Sequence, residues 1–215
     1  MVLRLQVKFV KRAVTALLLL SLFSACRSTT NVNSNAEPIR PMRVVTDDLD
    51  RRITVPVKVT RVVSLAPNLT ESIFAVGAGD RLVGVTTFCN YPEQAQEIAK
   101  IGDTMNPNME SIIALKPDVV FVSTASQIEN FTKTLEANGI AVYVTNPSDL
   151  SEVLTGLVKL GELLGTTEQA GALFSDLKAR QMKVVSKVGS ELPVDVFVQI
   201  SNEPLFTIGN QSFLN

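Results

Sequence analysis

The sequence predicts an α/β fold in three successive parts: a lobe built on a parallel sheet, a long helical region, and the start of a second α/β lobe. Short β-branched runs alternate with helical stretches from residue 44 to residue 147. Apolar residues then keep helical spacing over 148–190, and a new β-rich run occupies 191–215. Strands separated by helices are typical of a parallel sheet with right-handed crossovers, so 44–147 is expected to form the first lobe.

The first 25 residues have the order of a signal peptide. Basic residues come first, an apolar run spans 13–23, and the small residues Ser24 and Ala25 precede Cys26. The apolar run is shorter than the roughly 20 residues that a membrane-spanning helix needs. Residues 23–26, Phe-Ser-Ala-Cys, resemble the bacterial lipobox. That resemblance implies an acylated Cys26 and an exported protein anchored to the membrane; the alternative is an ordinary secretory cleavage site beside an incidental cysteine.

Residues 26–43 are expected to form a tether. They are poor in apolar residues and rich in Ser, Thr and Asn, so they bury too little surface to become ordered. Cys26 and Cys89 are the only cysteines. If Cys26 is acylated, no intramolecular disulfide can form, and the fold must depend on its core.

The composition excludes several classes of function. The sequence contains no histidine, which removes the Ser-His-Asp and Cys-His routes to a nucleophile and the commonest zinc ligand. A formal net charge of −1, with no basic cluster after the signal segment, argues against a nucleic-acid surface. These absences disfavour most hydrolases and metalloenzymes, so we expect no catalytic residue, resident metal or cofactor. A glycosidase-like carboxylate pair such as Asp103 and Glu110 is a distant alternative, since nothing places the two at a working separation.

The first lobe is expected to begin with a hairpin of strands at 44–46 and 53–55. Further strands are predicted at 61–65, 82–86, 119–122 and 140–144, and helices at 69–76, 93–99, 109–115 and 127–137. Asn68 and Glu71 have the spacing of a capping box, Gly77 is a helix stop, and Asn108 is an N-cap. The strand at 119–122 is apolar throughout, so both of its faces should be covered.

The region after the first lobe is predicted to be almost entirely helical. Leucine and valine keep helical spacing from Leu150 to Gly165, and Thr166 with Gln169 suggests a second capping box for a helix ending near Val188. This helical region is too long for an ordinary crossover between two strands and is expected to act as a rigid bridge. Strands are predicted at 194–200 and 206–208.

Several segments resemble one family when taken together in their order. They are Val62–Glu71, Leu82–Thr86, Asn90–Pro92, Asn108–Val120 and Pro204–Gly209. They are similar to the substrate-binding proteins of ABC importers for cobalamin and ferric siderophores, the helical-backbone (class III) periplasmic binding proteins. The resemblance implies two α/β lobes joined by a long helix, with the ligand in a shallow cleft between them. It also implies that the family continues beyond Asn215, so this C-terminally truncated form is expected to bind ligand weakly or not at all.

The ligand is expected beyond the carboxyl ends of the parallel strands, as in other open α/β sheets. The resemblance places Phe88 where cobalamin binders carry a cleft aromatic, and Thr104 where some carry a tryptophan. A partly buried edge aromatic is the alternative for Phe88. The expected ligand-binding residues are Ala66, Pro67, Asn68, Phe88, Tyr91, Thr104, Met105, Ser123, Thr124, Ile200 and Asn202.

The resemblance also implies a partner for Glu110. It aligns with a glutamate that pairs with arginines of the membrane permease. A carboxylate in the first turn of a helix is also stabilising by itself, by about 0.3–1 kcal/mol, and both roles can hold together.

The expected function is therefore delivery of a metal chelate to an ABC permease from the outer face of the cytoplasmic membrane. Cobalamin is favoured because 90–92 and 108–115 resemble that branch more closely, and a ferric siderophore is the alternative. An adhesion or signalling lobe with the same fold is a further possibility that one chain leaves open.

Overall fold

The computed structural model describes residues 40–123, 128–192 and 194–209. The predicted signal peptide, Cys26, the tether up to residue 39 and Thr124 lie outside the described residues. The strands are β1 (Met42–Thr46), β2 (Arg52–Pro56), β3 (Val62–Ser64), β4 (Leu82–Val85), β5 (Val119–Ser123), β6 (Ala141–Thr145), β7 (Gln199–Asn202) and β8 (Leu205–Thr207). The helices are α1 (Pro67–Ala75), α2 (Met109–Ala114), α3 (Ile128–Ala137), α4 (Leu150–Leu164) and α5 (Thr167–Val188), with 3₁₀ turns at Gly79–Arg81 and Glu93–Glu97. The predicted α/β fold is confirmed.

A parallel sheet with strand order β4-β3-β5-β6 forms the centre of the first lobe. Its strand β5 is buried on both faces, as its uniform apolar sequence predicts, since Val119 to Val122 are at most 1% exposed. Side chains on one face pack against α1 and α4, and those on the other face pack against α2 and α3. The sheet is therefore sandwiched between two helical layers.

The two predicted capping boxes are wrong. Helix α1 begins at Pro67 with Ala66 as its N-cap. Asn68 therefore lies inside the first turn and cannot form a capping box with Glu71. Proline is favoured at this first position because it has no N–H to satisfy and its φ is already helical. Thr166 does precede α5, but its φ of −118° and ψ of 39° are not those of an extended N-cap, and its side chain makes no capping bond.

Other helix ends follow the sequence. The Asn108 side chain accepts a hydrogen bond from the Ser111 N–H at 3.0 Å, which confirms it as an N-cap. Gly77 and Gly165 end their helices with φ of 80° and 69°, in the left-handed region that glycine adopts without strain. At the start of α4, Asp149 is an N-cap that we did not predict, since its side chain accepts from Glu152 N–H, and the Glu152 carboxylate accepts from Ser148 N–H.

Helix α4 packs into the core of the first lobe. Its leucines at 154, 157, 160, 163 and 164 are buried against the sheet. Gly161 allows close approach of α5, since a Cβ there would lie 2.3 Å from the Cβ of Ala170. Beyond this crossing α5 becomes exposed, and Met182, Val185 and Val188 face solvent. Within the described ranges no helix is long and apolar enough to cross a membrane.

The chain beyond α5 is less regular than predicted. The predicted strand at 194–200 begins only at Gln199, where β7 pairs with β8 in an antiparallel hairpin. Within the described residues, no strand pairs with residues 194–198. This apolar run therefore lacks the ladder of backbone hydrogen bonds that would hold it in a β conformation. The predicted helix at 93–99 is likewise only a 3₁₀ turn, Glu93–Glu97.

The β1–β2 hairpin is fixed to the edge of the sheet by the buried carboxylate of Asp47. One oxygen accepts hydrogen bonds from the N–H groups of Leu49 and Arg51, each at 3.0 Å. The other accepts from the Arg51 guanidinium at 2.7 Å and from Val144 N–H on β6 at 3.2 Å. Asp48 N–H donates to the carbonyl of Val144, so the turn covers an edge that would otherwise be open.

Asp118 joins the amino ends of β3 and β5. Its carboxylate accepts from the N–H groups of Thr60 and Arg61 at 2.7 and 3.0 Å and pairs with the Arg40 guanidinium. Burial alone would raise the pKa of this carboxyl, but these donors outweigh it and hold the pKa below its ordinary value of 3.8.

Asp118→Asn is expected to lower the free energy of unfolding by about 1–3 kcal/mol near neutral pH, because it removes a charged acceptor from several donors. A lowered folded-state pKa contributes stability above the ordinary pKa, which is lost as the pH falls through the folded value. The difference between wild type and variant should therefore shrink below pH 3.8, the ordinary value. Urea unfolding over a pH series measures it, with Asp80→Asn at an exposed carboxylate as control. A difference that does not change with pH would contradict this account.

Candidate functional site

The loops that follow β3 and β4 meet at the carboxyl edge of the sheet through a buried group of hydroxyls and one thiol. The Thr70 hydroxyl lies 2.9 Å from Ser64 Oγ and 3.2 Å from Cys89 Sγ, and Thr86 Oγ1 lies 3.1 Å from the same sulfur. Ser64 Oγ donates to the Ala66 carbonyl at 3.0 Å. All four side chains are buried, so this network fixes both loops against α1.

The loop after β4 is held from the outside by Lys100. Its ammonium donates to the carbonyls of Cys89 and Ala95, each at 2.8 Å. Between these fixed points the loop presents Phe88 and Tyr91, which are 62% and 67% exposed. Phe88 is therefore not the partly buried edge aromatic that was its alternative. Two exposed aromatic rings on a hydrogen-bonded loop form a surface suited to an apolar or aromatic ligand.

A tight turn beside this loop presents Thr104 and Met105. The Thr87 N–H donates to the Gly102 carbonyl at 2.9 Å, which joins the two segments. Gly102 has φ of 94°, and a Cβ there would lie 2.7 Å from the Asn106 carbonyl oxygen, so the turn requires glycine. Thr104 is half-buried and Met105 is 47% exposed, beside the aromatic loop.

The carboxylate of Asp103 holds this turn closed. It accepts from the N–H groups of Asn106 and Met105 at 2.6 and 2.7 Å, and these two bonds hold the pKa of Asp103 below its ordinary value. Asp103 is thus a turn-forming residue.

The other expected ligand-binding residues differ from one another in exposure and in position. Ala66 is buried and Pro67 half-buried at the start of α1, whereas Asn68 is exposed. Asn68 and Ser123 lie together on the wall of a cavity of about 440 Å³. Ile200 and Asn202 are exposed on β7, and no hydrogen bond within the described residues joins them to the first lobe.

Glu110 lies in the first turn of α2 with its side chain exposed. The carboxylate is therefore free to stabilise the helix and to meet a partner at once. Among the described residues, no group of three His, Cys, Asp or Glu side chains is arranged to hold a metal ion.

Residues 62–215 match the periplasmic binding protein family. The chain belongs to this family. It is 35% identical over 179 residues to the uncharacterized ABC transporter substrate-binding lipoprotein YvrC of Bacillus subtilis, covering 80% of this chain and 56% of YvrC. It is 29% identical over 153 residues to the vitamin B12-binding protein of Vibrio campbellii, covering 71% of this chain and 56% of that protein.

The crystal structure of the periplasmic vitamin B12-binding protein BtuF of Vibrio cholerae has the same fold, with a TM-score of 0.68 and 28% sequence identity. The match covers 73% of this chain and 62% of BtuF. The chain spans about half the length of the curated relatives it matches. The family found in this way is the one that the ordered segments resemble, and it is a family of binding proteins rather than enzymes.

Sequence reasoning missed the residues that support the loops of this periplasmic binding protein. The Thr70–Cys89 contact spans 19 residues, and the Lys100 contacts depend on how the 89–95 loop folds back. No motif marks such contacts. The one available signal was the presence of small polar residues where apolar residues would be expected: Ser64 and Thr86 at strand ends and Thr70 in α1.

Thr70→Val is expected to lower the free energy of unfolding by about 1–2 kcal/mol, because it removes the hydroxyl between Ser64 and Cys89 without changing side-chain volume much. It should also loosen the aromatic loop. Hydrogen exchange of the peptide covering 86–92, together with chemical unfolding, measures both effects. Thr155→Val is the matched control, because its hydroxyl bonds the carbonyl of Ser151 on an exposed helix face. Equal exchange in both variants would show that the network does not hold the loop.

Proposed function

We propose that this protein is the solute-binding component of an ABC importer and that it captures a large metal chelate, with cobalamin favoured. The observation that carries the proposal is the surface made by Phe88, Tyr91 and Met105, which we name the aromatic face. It lies at the carboxyl edge of a parallel sheet, where open α/β folds bind ligands. Family membership supports a binding role for this face.

The physical properties of the aromatic face suit a bulky, partly apolar ligand. Burying one large apolar side chain contributes about 1.5–3 kcal/mol. Because Lys100 and the Ser64–Thr70–Cys89 network already fix the loop, little conformational freedom would be lost on binding. Thr104, next to Met105 in the turn, and the exposed amide of Asn68 are proposed as polar contacts to the ligand. Ala66, Pro67 and Ser123 complete the proposed first-lobe surface, with Thr124, Ile200 and Asn202 as further expected contacts.

The metal is proposed to arrive inside its own chelate, since the sequence has no histidine with which to bind a bare ion. Two relatives are named as vitamin B12-binding proteins, which supports a corrinoid over a ferric siderophore. Acylation of Cys26 is proposed as the anchor, and the description of YvrC as a lipoprotein supports it. Such an anchor would keep the binding site close to its permease.

Phe88→Ala and Met105→Ala are each expected to weaken cobalamin binding by about tenfold or more, because each removes a large apolar contact from the ligand. Titration of the complete gene product with cyanocobalamin and, separately, with ferrichrome measures this and distinguishes the two ligand classes. Met42→Ala is a matched control, since Met42 is 53% exposed on β1 and Met105 is 47% exposed on the turn. Absence of saturable binding for both ligands would refute the proposal, and tighter binding of ferrichrome would overturn the preference for cobalamin.

Glu110→Arg is expected to reduce stimulation of the permease ATPase at least tenfold, because it replaces the proposed docking carboxylate with a charge that repels arginine. The measurement is ATP hydrolysis by the cognate transporter in proteoliposomes with loaded binding protein. Glu97→Arg makes the same change at another exposed glutamate of the first lobe and serves as control. If the two variants behaved alike, or if Glu110→Arg weakened cobalamin binding itself, the docking role would be wrong.

A further inference from the structure

A cavity of about 440 Å³ lies inside the first lobe between α1 and α4. Its floor is the carboxyl end of β5 and β6, and its walls are mostly apolar: Leu69, Ile73, Phe121, Val153, Leu157 and Leu160. Small-molecule sites in proteins have volumes of about 300–1,000 Å³, with apolar walls and a few polar groups. The cavity has the size and the lining of such a site.

A glycine in the middle of α4 keeps this cavity open. Gly156 lines the space, and a Cβ atom added there would meet nothing within 4 Å. Glycine inside a helix is unfavourable relative to alanine because of its backbone freedom. The helix therefore carries an unfavourable residue at a position where a side chain would enter the cavity. A packed core would instead fill this position.

The cavity also contains a polar group without a partner. Tyr143 lines it and is only 5% exposed, yet its hydroxyl makes no hydrogen bond with any described residue. Burial, followed by the charges of Asp48 and Asp47, raises the pKa of Tyr143 above its ordinary value, so the phenol stays protonated and remains a donor. Because no described group accepts a hydrogen bond from it, this hydroxyl is available to a ligand that enters the cavity.

The remaining lining residues indicate which chemical class of ligand the cavity would accept. The rings of Phe121 and Tyr143 lie 5.3 Å apart at an interplanar angle of 45°, an aromatic floor suited to a further ring. Asp48 and Glu152 lie at the wall, already bonded to Lys159 and to Ser148 respectively. No basic side chain is among the described lining residues, so an anion is disfavoured.

We propose that this cavity is a second binding site, for a compact uncharged aromatic molecule carrying one hydrogen-bond acceptor, which would accept from the Tyr143 hydroxyl. Asn68 and Ser123 belong both to its wall and to the proposed first-lobe ligand surface, so the site adjoins that surface. It lies entirely within the first lobe. Its occupancy therefore does not require the chelate function proposed above, and Phe88 and Met105 take no part in it.

Prodan, an uncharged naphthyl ketone, is a suitable probe because its carbonyl can accept from Tyr143 and its emission shifts to the blue in apolar surroundings. Wild-type protein is expected to bind it saturably at one site. Gly156→Leu should weaken binding at least tenfold by filling the cavity. Gly171→Leu is the matched control, since Gly171 is also helical and its Cβ would also meet nothing within 4 Å, but it does not line the cavity.

Tyr143→Phe gives an independent readout. It should weaken prodan binding by about tenfold through loss of the hydrogen bond. In the ligand-free protein it should leave the melting temperature unchanged or raise it, because the hydroxyl has no partner to lose. A structural hydroxyl would instead lower the melting temperature, and that result would count against the site.

The position of the probe can be read directly, because the sequence has two tyrosines. Protein labelled with ¹³C-tyrosine should give two ring signals, and Tyr143→Phe identifies which belongs to Tyr143. Prodan should shift the Tyr143 signal. A shift of the Tyr91 signal alone would place the probe on the aromatic face, and equal binding by wild type and Gly156→Leu would place it on exposed apolar surface; either result overturns the proposal. This NMR test also decides the case if Gly156→Leu does not fold.

Discussion

Strand β5 is buried on both faces, and this constraint organises the rest of the first lobe. A strand without solvent on either side can carry polar groups only at its two ends, where they must find partners. At its amino end Asp118 meets donors from the segment that leads into β3. At its carboxyl end Ser123 lines the cavity and belongs to the proposed ligand surface. The amino-terminal edge of the sheet therefore contributes to stability, and the carboxyl-terminal edge is available to bind a ligand.

The order of elements could be predicted because it depends on local pattern. Apolar runs located the parallel strands, and Gly77 and Gly165 located helix ends through the positive φ that glycine adopts. The errors came where two local signals compete. At the start of α1 the proline preference at Pro67 overrides the capping spacing of Asn68 and Glu71, because the helix begins two residues earlier than a capping Asn68 requires.

The candidate site was predicted only in outline. The rule that ligands bind beyond the carboxyl ends of strands pointed to the loops after β3 and β4, and the resemblance pointed to Phe88. Contacts that fix those loops join residues far apart in sequence, such as Asp47 with Val144 or Thr70 with Cys89, and no periodicity encodes them. The cavity could not be predicted either, because the sequence does not show that the space beside a helical glycine such as Gly156 is empty.

Cys89 has a chemical consequence for a protein that works outside the cytoplasm, as proposed here. It is 1% exposed, and the hydroxyls of Thr70 and Thr86 contact its sulfur. Thiol oxidation and disulfide exchange require attack by or on an accessible sulfur, usually as thiolate. Enclosed in this way, the sulfur acts as a small packing group rather than a redox group. The loop that carries the aromatic face should therefore keep its geometry in oxidising and reducing surroundings alike.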